Sequence, residues 1–237
     1  MIAWRLERHD ELGSTSDECV ARAKAGAAAG LAVQARRQLA GRGSRGRAWT
    51  APEGNLNLSV LLRPGRPAAA AGLFSLLAGI AVAEALAPRS QTAPMLKWPN
   101  DVLLDGAKLA GILIDAMPDG ERLDWLVIGI GVNLAVAPEI AGRRTTSLRA
   151  HGGNLSADDA ADAILAGLSA WHDAPGARIR EAWLARAHPV GTPLTVRGAR
   201  GELHGSFAGL SETGELLLRD KDRIEPISTG DILLGQA

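Results

Sequence analysis

A glycine-rich segment with interleaved arginines, residues 41–49 ("GRGSRGRAW"), places the strongest limit on the fold. Its glycines spell G-x-G-x-x-G, which in doubly wound α/β domains joins a strand to the helix that meets a pyrophosphate. Here the segment runs into "TAPEGNLNLS", where Pro52 and Gly54 precede an alternating, strand-like run, so no helix begins in the motif. A P-loop is excluded because no Gly-Lys-Ser/Thr follows, and no kinase motif lies downstream. The segment therefore predicts a loop between two strands.

Such a loop is suited to binding an anion. Its glycines let backbone N–H groups approach a ligand, and Arg42, Arg45 and Arg47 can form paired hydrogen bonds with phosphate or carboxylate oxygens. The alternative is a solvated turn whose arginines face water. Three further segments favour the anion site when they are taken together. They are "KWPND" (97–101), "KLAGILID" (108–115) and "GIGVNL" (129–134).

Composition limits the function classes. Lysine plus arginine equals aspartate plus glutamate, 26 each, in a chain of 237 residues that is 46% hydrophobic. A neutral chain of this kind is not typical of proteins that bind long nucleic acids. Cys19 is the single cysteine, which excludes an intrachain disulfide, and the N-terminus lacks a signal pattern. The alanine-rich run at 68–87 is interrupted by Glu84 and predicts a core helix, not a membrane span. We expect a cytoplasmic globular protein.

Hydrophobic periodicity predicts the order of elements. A helix over 14–28 begins with a capping box of Thr15 and Glu18, and a second capping pattern at Ser156 and Asp159 opens a helix to about residue 171. Another helix is predicted over 176–187. Strands are predicted at 31–36 and 55–62 and in "MLKWPNDVLL", "KLAGILIDAM" and "RLDWLVIGIGVNL". After His188 the sequence changes to short alternating runs separated by glycines, which is typical of a small β-barrel.

The chain as a whole closely resembles the biotin–protein ligase family. The resemblance rests on "GSTSDE", "Q-x-AGRG-x-RGR-x-W", "EGNLNLS", "KWPNDVLL", "KLAGILID" and "GIGVNL". It implies an α+β fold, with a mixed central sheet flanked by helices as in the class II synthetase-like biotin/lipoate ligases, and a small SH3-like C-terminal barrel. The implied domains are residues 1–187 and 188–237. Because the catalytic sequence begins within the first few residues, we expect no winged helix and no nucleic-acid partner.

The resemblance also implies a two-step reaction. Biotin is activated by ATP, with Mg²⁺, as biotinyl-5′-AMP, and biotin is then transferred to a lysine of a biotin carboxyl carrier protein of a carboxylase. No membrane partner is expected, and a homodimer through sheet edges is an open expectation. Alternatives are a lipoate or octanoate ligase on a similar fold, and a non-catalytic biotin sensor. Gln38 and the glycine-arginine loop favour a ureido ring over a long aliphatic chain.

The resemblance assigns individual residues, among which Lys108 and Arg42 are the catalytic candidates because fixed cations must bring two anions together. On the biotin side the implied residues are Ser14, Thr15, Ser16, Gln38, Gly41, Arg42, Gly43, Ser44, Lys108 and Gly111. On the ATP side they are Arg45, Arg47, Trp49, Asn55, Lys97, Asn100, Asp101 and Asn133. Asp101 is also the candidate metal ligand. Two residues depart from the family pattern, because Ser44 replaces a common arginine and Ser16 a common asparagine.

Overall fold

The computed structural model describes residues 2–198 and 201–234, so positions 199–200 and 235–237 of the predicted barrel lie outside the described residues. The helices are α1 (Thr15–Lys24), α2 (Ala71–Leu86), α3 (Ala157–Trp171) and α4 (Gly176–Leu184). The strands are β1 (Arg5–Leu12), β2 (Leu31–Gln38), β3 (Leu56–Leu62), β4 (Met95–Lys97), β5 (Asp101–Leu104), β6 (Ala107–Asp119), β7 (Arg122–Val132), β8 (Pro193–Gly198), β9 (Gly201–Leu210), β10 (Leu216–Asp220), β11 (Arg223–Ile227) and β12 (Asp231–Leu234).

The first seven strands form one mixed sheet in the order β1-β2-β3-β7-β6-β5-β4. β1 and β2 are parallel, and α1 connects them; the other neighbours are antiparallel. Every residue of β3 is buried, because this strand is central and both of its faces are covered. β1 is an edge strand rich in charged residues, and the periodicity analysis did not predict it.

The long apolar helix α2 lies in the core. The segment Ala68–Arg89 has the length and hydropathy of a membrane span, yet 61% of its apolar 18-residue window is buried inside the molecule. Phe74, Leu77 and Ile80 are fully buried. The prediction of a core helix therefore holds for this segment.

Two local predictions need correction. "MLKWPNDVLL" forms two strands, β4 and β5, because residues 98–100 make a turn between them. The cap of α1 is Ser14, whose hydroxyl oxygen accepts a hydrogen bond from the Asp17 N–H at 3.3 Å, so Thr15 is the first helical residue and not the cap. By contrast, the Ser156 cap of α3 is as predicted, with the Asp159 N–H donating at 3.0 Å.

The C-terminal strands form a separate five-stranded antiparallel sheet in the order β11-β10-β9-β8-β12. This sheet packs on the first unit: the Trp98 indole donates to the carbonyl of Gly214 at 3.0 Å, and Phe207 meets Trp183 of α4 edge to face. The mixed sheet with helices and the small β domain confirm the predicted fold class. The arrangement also leaves a cleft between the C-terminal sheet and strands β4–β6.

Candidate active site

The start of α1 and the facing strands build a neutral hydrogen-bonded network. With the cap supplied by Ser14, the hydroxyl of Thr15 turns to the sheet, where it donates to Gln38 Oε1 at 3.1 Å and lies 2.8 Å from Ser59 Oγ. The Thr15 N–H also donates to Gln38 Oε1, at 2.8 Å. Ser16 Oγ lies 3.1 Å from Ser59 Oγ. These serines and Thr15 are buried, so the network is held in place by packing.

Asn57 extends the same network. Gln38 Nε2 donates to Asn57 Oδ1 at 3.0 Å, and Asn57 Nδ2 donates to the carbonyl of Ala35 at 3.3 Å. The sequence analysis missed Asn57 and Ser59 as site residues. The signal was present, because the alternation "NLNLS" places both polar residues on one face of β3 and its leucines on the other.

Three glycines of β6 and β7 allow close approach to this cavity. A Cβ at Gly129 would lie 2.5 Å from Ser16 Oγ, and one at Gly131 would clash with the indole of Trp49. A Cβ at Gly111 would lie 3.1 Å from Lys108 Nζ and 3.4 Å from Trp49 Cζ3. The glycines therefore let α1, Trp49 and Lys108 pack directly on the sheet backbone.

Residues 41–49 fold back on themselves and form a lid over the cavity. Trp49 N–H donates to the Gly41 carbonyl at 2.8 Å, and Gly43 N–H donates to the Arg47 carbonyl at 2.8 Å. Gly41 permits the first contact, because a Cβ there would clash with the Trp49 carbonyl. Arg45 lies in the left-handed region, with φ of 60°. The predicted strand-to-strand loop is thus an ordered hairpin-like lid.

Carboxylates hold the lid arginines. Arg42 makes a paired contact with Asp115 (Nη2–Oδ1 2.9 Å, Nη1–Oδ2 3.2 Å) and a third bond to Asp17 at 2.8 Å. Hydrogen bonding to Asp115 is the main reason that the pKa of Arg42 is raised. In the C-terminal sheet, Asp231 accepts from Arg47 at 3.0 Å and pairs with Arg45 at 3.3 Å.

Lys108 stands beside the lid at the wall of the cavity. Its ammonium forms an ion pair with Asp101, and the side chains of both residues are largely buried. Lys108 Nζ also lies 5.8 Å from the ring centroid of Trp49. The half-buried Lys97 lies on β4 directly opposite Asp101 of β5 in the sheet register, and burial lowers the pKa of Lys97 despite the nearby Asp101 charge.

One cavity collects most of the predicted residues. The predicted residues that line it are Thr15, Ser16, Gln38, Arg42, Gly43, Ser44, Trp49, Asn100, Lys108 and Gly111. Two predicted ligands have other roles. The hydroxyl of Ser14 caps α1. The side-chain nitrogen of Asn55 donates to the carbonyl of Val136 at 2.7 Å, and its side-chain oxygen accepts from the N–H groups of Ala135 and Val136 at 2.9 and 3.2 Å. Neither side chain lines the cavity.

Two buried polar atoms near the site lack hydrogen-bond partners within the described residues. They are the indole Nε1 of Trp49 and the amide Oδ1 of Asn133. The amide nitrogen of Asn133 donates to the carbonyls of Thr146 and Lys108, which fixes the orientation of the side chain. Because burying an unpaired polar atom is costly, such atoms indicate a place where a ligand can supply the partner.

Sequence and structure comparisons agree on the family. Residues 18–133 match the Biotin/lipoate A/B protein ligase family and residues 191–235 the Biotin protein ligase C terminal domain. The chain is 38% identical over 215 residues to a biotin–[acetyl-CoA-carboxylase] ligase of Paracoccus denitrificans, covering 86% of this chain and 90% of the relative. It is similar to the biotin protein ligase of Aquifex aeolicus in complex with biotin and ATP (TM-score 0.77, 28% identity, 98% and 99% of the two chains). A similar structure from Leishmania major is in complex with biotinyl-5-AMP (TM-score 0.62, 28% identity, 95% and 99%). Together with the neutral network, the lid and Lys108 in one cavity, these matches establish that the chain belongs to the biotin protein ligase family.

Proposed function

We propose that this protein is a biotin–protein ligase, which activates biotin with ATP as biotinyl-5′-AMP and transfers biotin to a lysine of the carrier part of a carboxylase. One observation carries the proposal: a largely buried neutral network (Thr15, Gln38, Ser59) and two cations (Lys108, Arg42) line the same cavity. A ligand that fills it must have a neutral polar end and an anionic end. Biotin, with a ureido ring and a carboxylate, has both.

The neutral network is proposed to bind the ureido ring. When the ring binds, the Ser16 hydroxyl can donate to the ureido oxygen, and Gln38 Oε1 can accept from a ureido N–H once the Thr15 hydroxyl donates to Ser59 instead. Each of these side chains is already fixed by its neighbours, so little side-chain entropy is lost when the ring binds.

Lys108 and Arg42 are proposed to bring two anions together. A biotin carboxylate oxygen attacks the α-phosphorus of ATP, the bond from that phosphorus to the β-phosphate oxygen breaks, and pyrophosphate leaves. Fixed positive charge reduces the repulsion between the carboxylate and the phosphate, an effect worth about 3–4 kcal/mol for a single well-placed donor. In the second step the ε-amine of the carrier lysine attacks the acyl carbon, and AMP leaves.

The adenylate side is proposed to use Trp49 and Asn133. The indole can stack on the adenine ring, and the unpaired Oδ1 of Asn133 can accept a hydrogen bond from an exocyclic amine. Arg45 and Arg47 remain proposed phosphate-side residues of the lid. Asn100 is a weaker candidate, because its amide already donates to the carbonyl of Ile112 at 2.7 Å.

The described residues do not fit a metal site held by the protein. They contain no cluster of three or more His, Cys, Asp or Glu side chains that could bind an ion. Asp101, the predicted metal ligand, is engaged by Lys108. We therefore assign Mg²⁺ to the incoming ATP, as part of the substrate, and assign no step to Asp101 as its ligand.

The domain boundary is proposed near residue 188, where the barrel-like sequence begins, and the C-terminal sheet is proposed to hold the lid through Asp231. A reducing, cytoplasmic location is supported by the single cysteine, Cys19, which is buried. Burial is also the main reason that the pKa of its thiol is raised to about 12, so the thiol is unreactive.

The deciding experiment measures ATP–pyrophosphate exchange with biotin and, separately, with lipoate. Exchange that depends on biotin, followed by transfer of labelled biotin to a carrier domain, is the expected result. Exchange with lipoate alone would assign the protein to lipoate attachment. Tight biotin binding with neither exchange nor transfer would identify a non-catalytic sensor.

A further inference from the structure

Lys108 projects from a β-bulge in β6. In the pairing of β5 with β6, one step along β5 from Leu103 corresponds to two steps along β6, from Lys108 to Ala110. Leu109 is therefore an extra residue on β6. A bulge of this kind redirects side chains and interrupts the backbone ladder with the neighbouring strand. The position of the Lys108 ammonium thus depends on the groups that hold the backbone at the bulge.

The connection between β7 and α3 supplies backbone partners for the bulge. The Lys108 N–H donates to the Arg144 carbonyl at 2.8 Å, and the Thr146 N–H donates to the Lys108 carbonyl at 2.9 Å. Residues 144–146 therefore run beside Lys108 like a short parallel strand, with a bridge between Lys108 and Thr145. Most of this connection is irregular, so its position depends on side-chain contacts.

Three side chains, Thr146, His151 and Asp105, form a clamp on this connection. Thr146 Oγ1 lies 2.9 Å from His151 Nε2, and His151 Nδ1 lies 3.2 Å from Asp105 Oδ2. A carboxylate beside Nδ1 favours the proton on that nitrogen, which leaves Nε2 to accept from the Thr146 hydroxyl. Asp105 belongs to the turn between β5 and β6, and the imidazole of His151 is largely buried. The clamp therefore joins the turn that precedes Lys108 to the connection that runs beside it.

We propose that His151 is a positioning residue for Lys108. Asp105 orients the imidazole, the imidazole holds Thr146, and Thr146 holds the bulge. All three clamp side chains lie outside the set that lines the cavity, so their effect on the reaction must pass through the backbone of Lys108. The inference rests on the proposed function, because the role of Lys108 belongs to the biotin-activating step. Displacing a reacting group by about 1 Å can slow a reaction about a hundredfold, so the clamp has a measurable consequence.

The first test removes the hydroxyl that contacts the imidazole. Thr146→Val is expected to lower kcat of adenylate formation about tenfold at saturating ATP, while the KM for biotin stays unchanged, because the neutral network keeps its own contacts. Thr146→Ser retains a hydroxyl and should recover most of kcat. Thr195→Val is the matched control, because the Thr195 hydroxyl also lies 2.9 Å from a histidine nitrogen, Nδ1 of His204, but on the C-terminal sheet. A wild-type kcat in Thr146→Val, or a loss that Thr146→Ser shares, would contradict the proposal.

A double-mutant cycle shows whether the effect passes through Lys108. Adding Thr146→Val to Lys108→Ala should slow adenylate formation by no more than about twofold, because no ammonium is left to misplace. A further tenfold loss in that background, about the size of the single-variant effect, would show a general structural role and overturn the proposal. His151→Ala should behave like Thr146→Val. His151→Gln should keep most of the rate, because its side-chain oxygen can accept from the Thr146 hydroxyl.

Amide hydrogen exchange distinguishes a failure of the clamp from a failure of the proposed function. The Lys108 N–H donates to the connection, so its protection reports whether the connection is held. In Thr146→Val and His151→Ala, this amide should exchange about tenfold faster, and in Thr195→Val at the wild-type rate. If biotin-dependent pyrophosphate exchange is absent, faster amide exchange at Lys108 still supports the clamp and removes only the ligase function. Equal protection in all four proteins would overturn the clamp, whatever the activity.

Discussion

The two halves of the site hold their polar groups in opposite ways. In the biotin half, Thr15, Gln38 and Ser59 are neutral and bind one another through short hydrogen bonds under a packed helix. In the lid half, Arg42 and Arg47 are charged, partly exposed and held by the carboxylates Asp115 and Asp231. The first arrangement suits a neutral ring that enters a preformed cradle. The second suits anionic substrates. They can displace the carboxylates from the arginines when they bind, and the products can leave after the reaction.

Removing Lys108 should give the largest effect. It should slow adenylate formation far more than it weakens biotin binding. Lys108→Ala is expected to slow adenylate formation by about a hundredfold or more, because it removes the cation that the sheet wall holds in the cavity beside Trp49. Binding of biotin, measured by calorimetry, should change far less. Since the variant also leaves Asp101 buried without its partner, the double variant Lys108→Ala/Asp101→Asn serves as the control. Recovery of stability without recovery of rate is expected, and recovery of rate would contradict the role of Lys108.

Breaking the neutral network should weaken biotin binding and leave ATP binding nearly unchanged. Gln38→Leu removes the acceptor of the Thr15 N–H and hydroxyl, so biotin affinity should fall about tenfold to a hundredfold, while the KM for ATP stays near its wild-type value. Gln34→Leu is the matched control. Gln34 lies on the same strand and is buried, but it contacts Asp158 and not the cavity. Equal losses of biotin affinity in both variants would mean that the effect is general destabilisation.

The biotin half could be predicted from the sequence better than the lid half. Its polar residues lie in short local patterns, whereas the contacts that hold the lid join residues far apart in the chain. The α1 start and the alternation in "NLNLS" are local patterns whose period indicates which side chains share a face, although Asn57 and Ser59 were missed. Gln38 was assigned by the family resemblance. The cap was assigned to Thr15 although Ser14 occupies it, since two adjacent hydroxyl residues fit the same motif. The carboxylates that hold the lid could not be predicted in this way. Asp231 lies 184 residues from Arg47, and no periodicity relates them.

Gly131→Ala should disturb the adenylate side alone. The added Cβ would clash with the indole of Trp49, so Trp49 must move from β7. We expect the KM for ATP to rise about tenfold, the cost of one displaced aromatic contact, with biotin affinity little changed. Gly198→Ala is the control, because a Cβ there would meet nothing closer than 3.8 Å. A fall in biotin affinity equal to the rise in the KM for ATP would show that the two halves are not separable.

Adding a cation to the lid should strengthen anion binding in the lid half. Ser44 lines the cavity, and its hydroxyl accepts from Arg47 at 2.9 Å. Ser44→Arg should slow the release of biotinyl-5′-AMP about threefold to tenfold, because an added charge near a bound anion acts mainly on dissociation. Release can be followed by trapping the adenylate after rapid dilution. Ser44→Ala removes the hydroxyl without adding charge and should not slow release; unchanged release in Ser44→Arg would refute the argument.

The smallest expected effect is a dependence on alkaline pH that follows from Lys97. Burial places its pKa below the ordinary value of 10.5, so between the two pKa values the unfolded chain binds a proton that the native protein has lost. Stability from this group therefore rises with pH in that window, whereas affinity for ATP is expected to fall there, since the neutral amine no longer attracts the phosphates. The expected loss of affinity is about twofold to threefold, because only part of the lysine population titrates in the accessible range. Lys97→Arg, which stays charged, should remove this alkaline dependence of ATP affinity while the pH profile of biotin affinity stays unchanged. If ATP affinity keeps its alkaline profile in the variant, the titrating group is not Lys97.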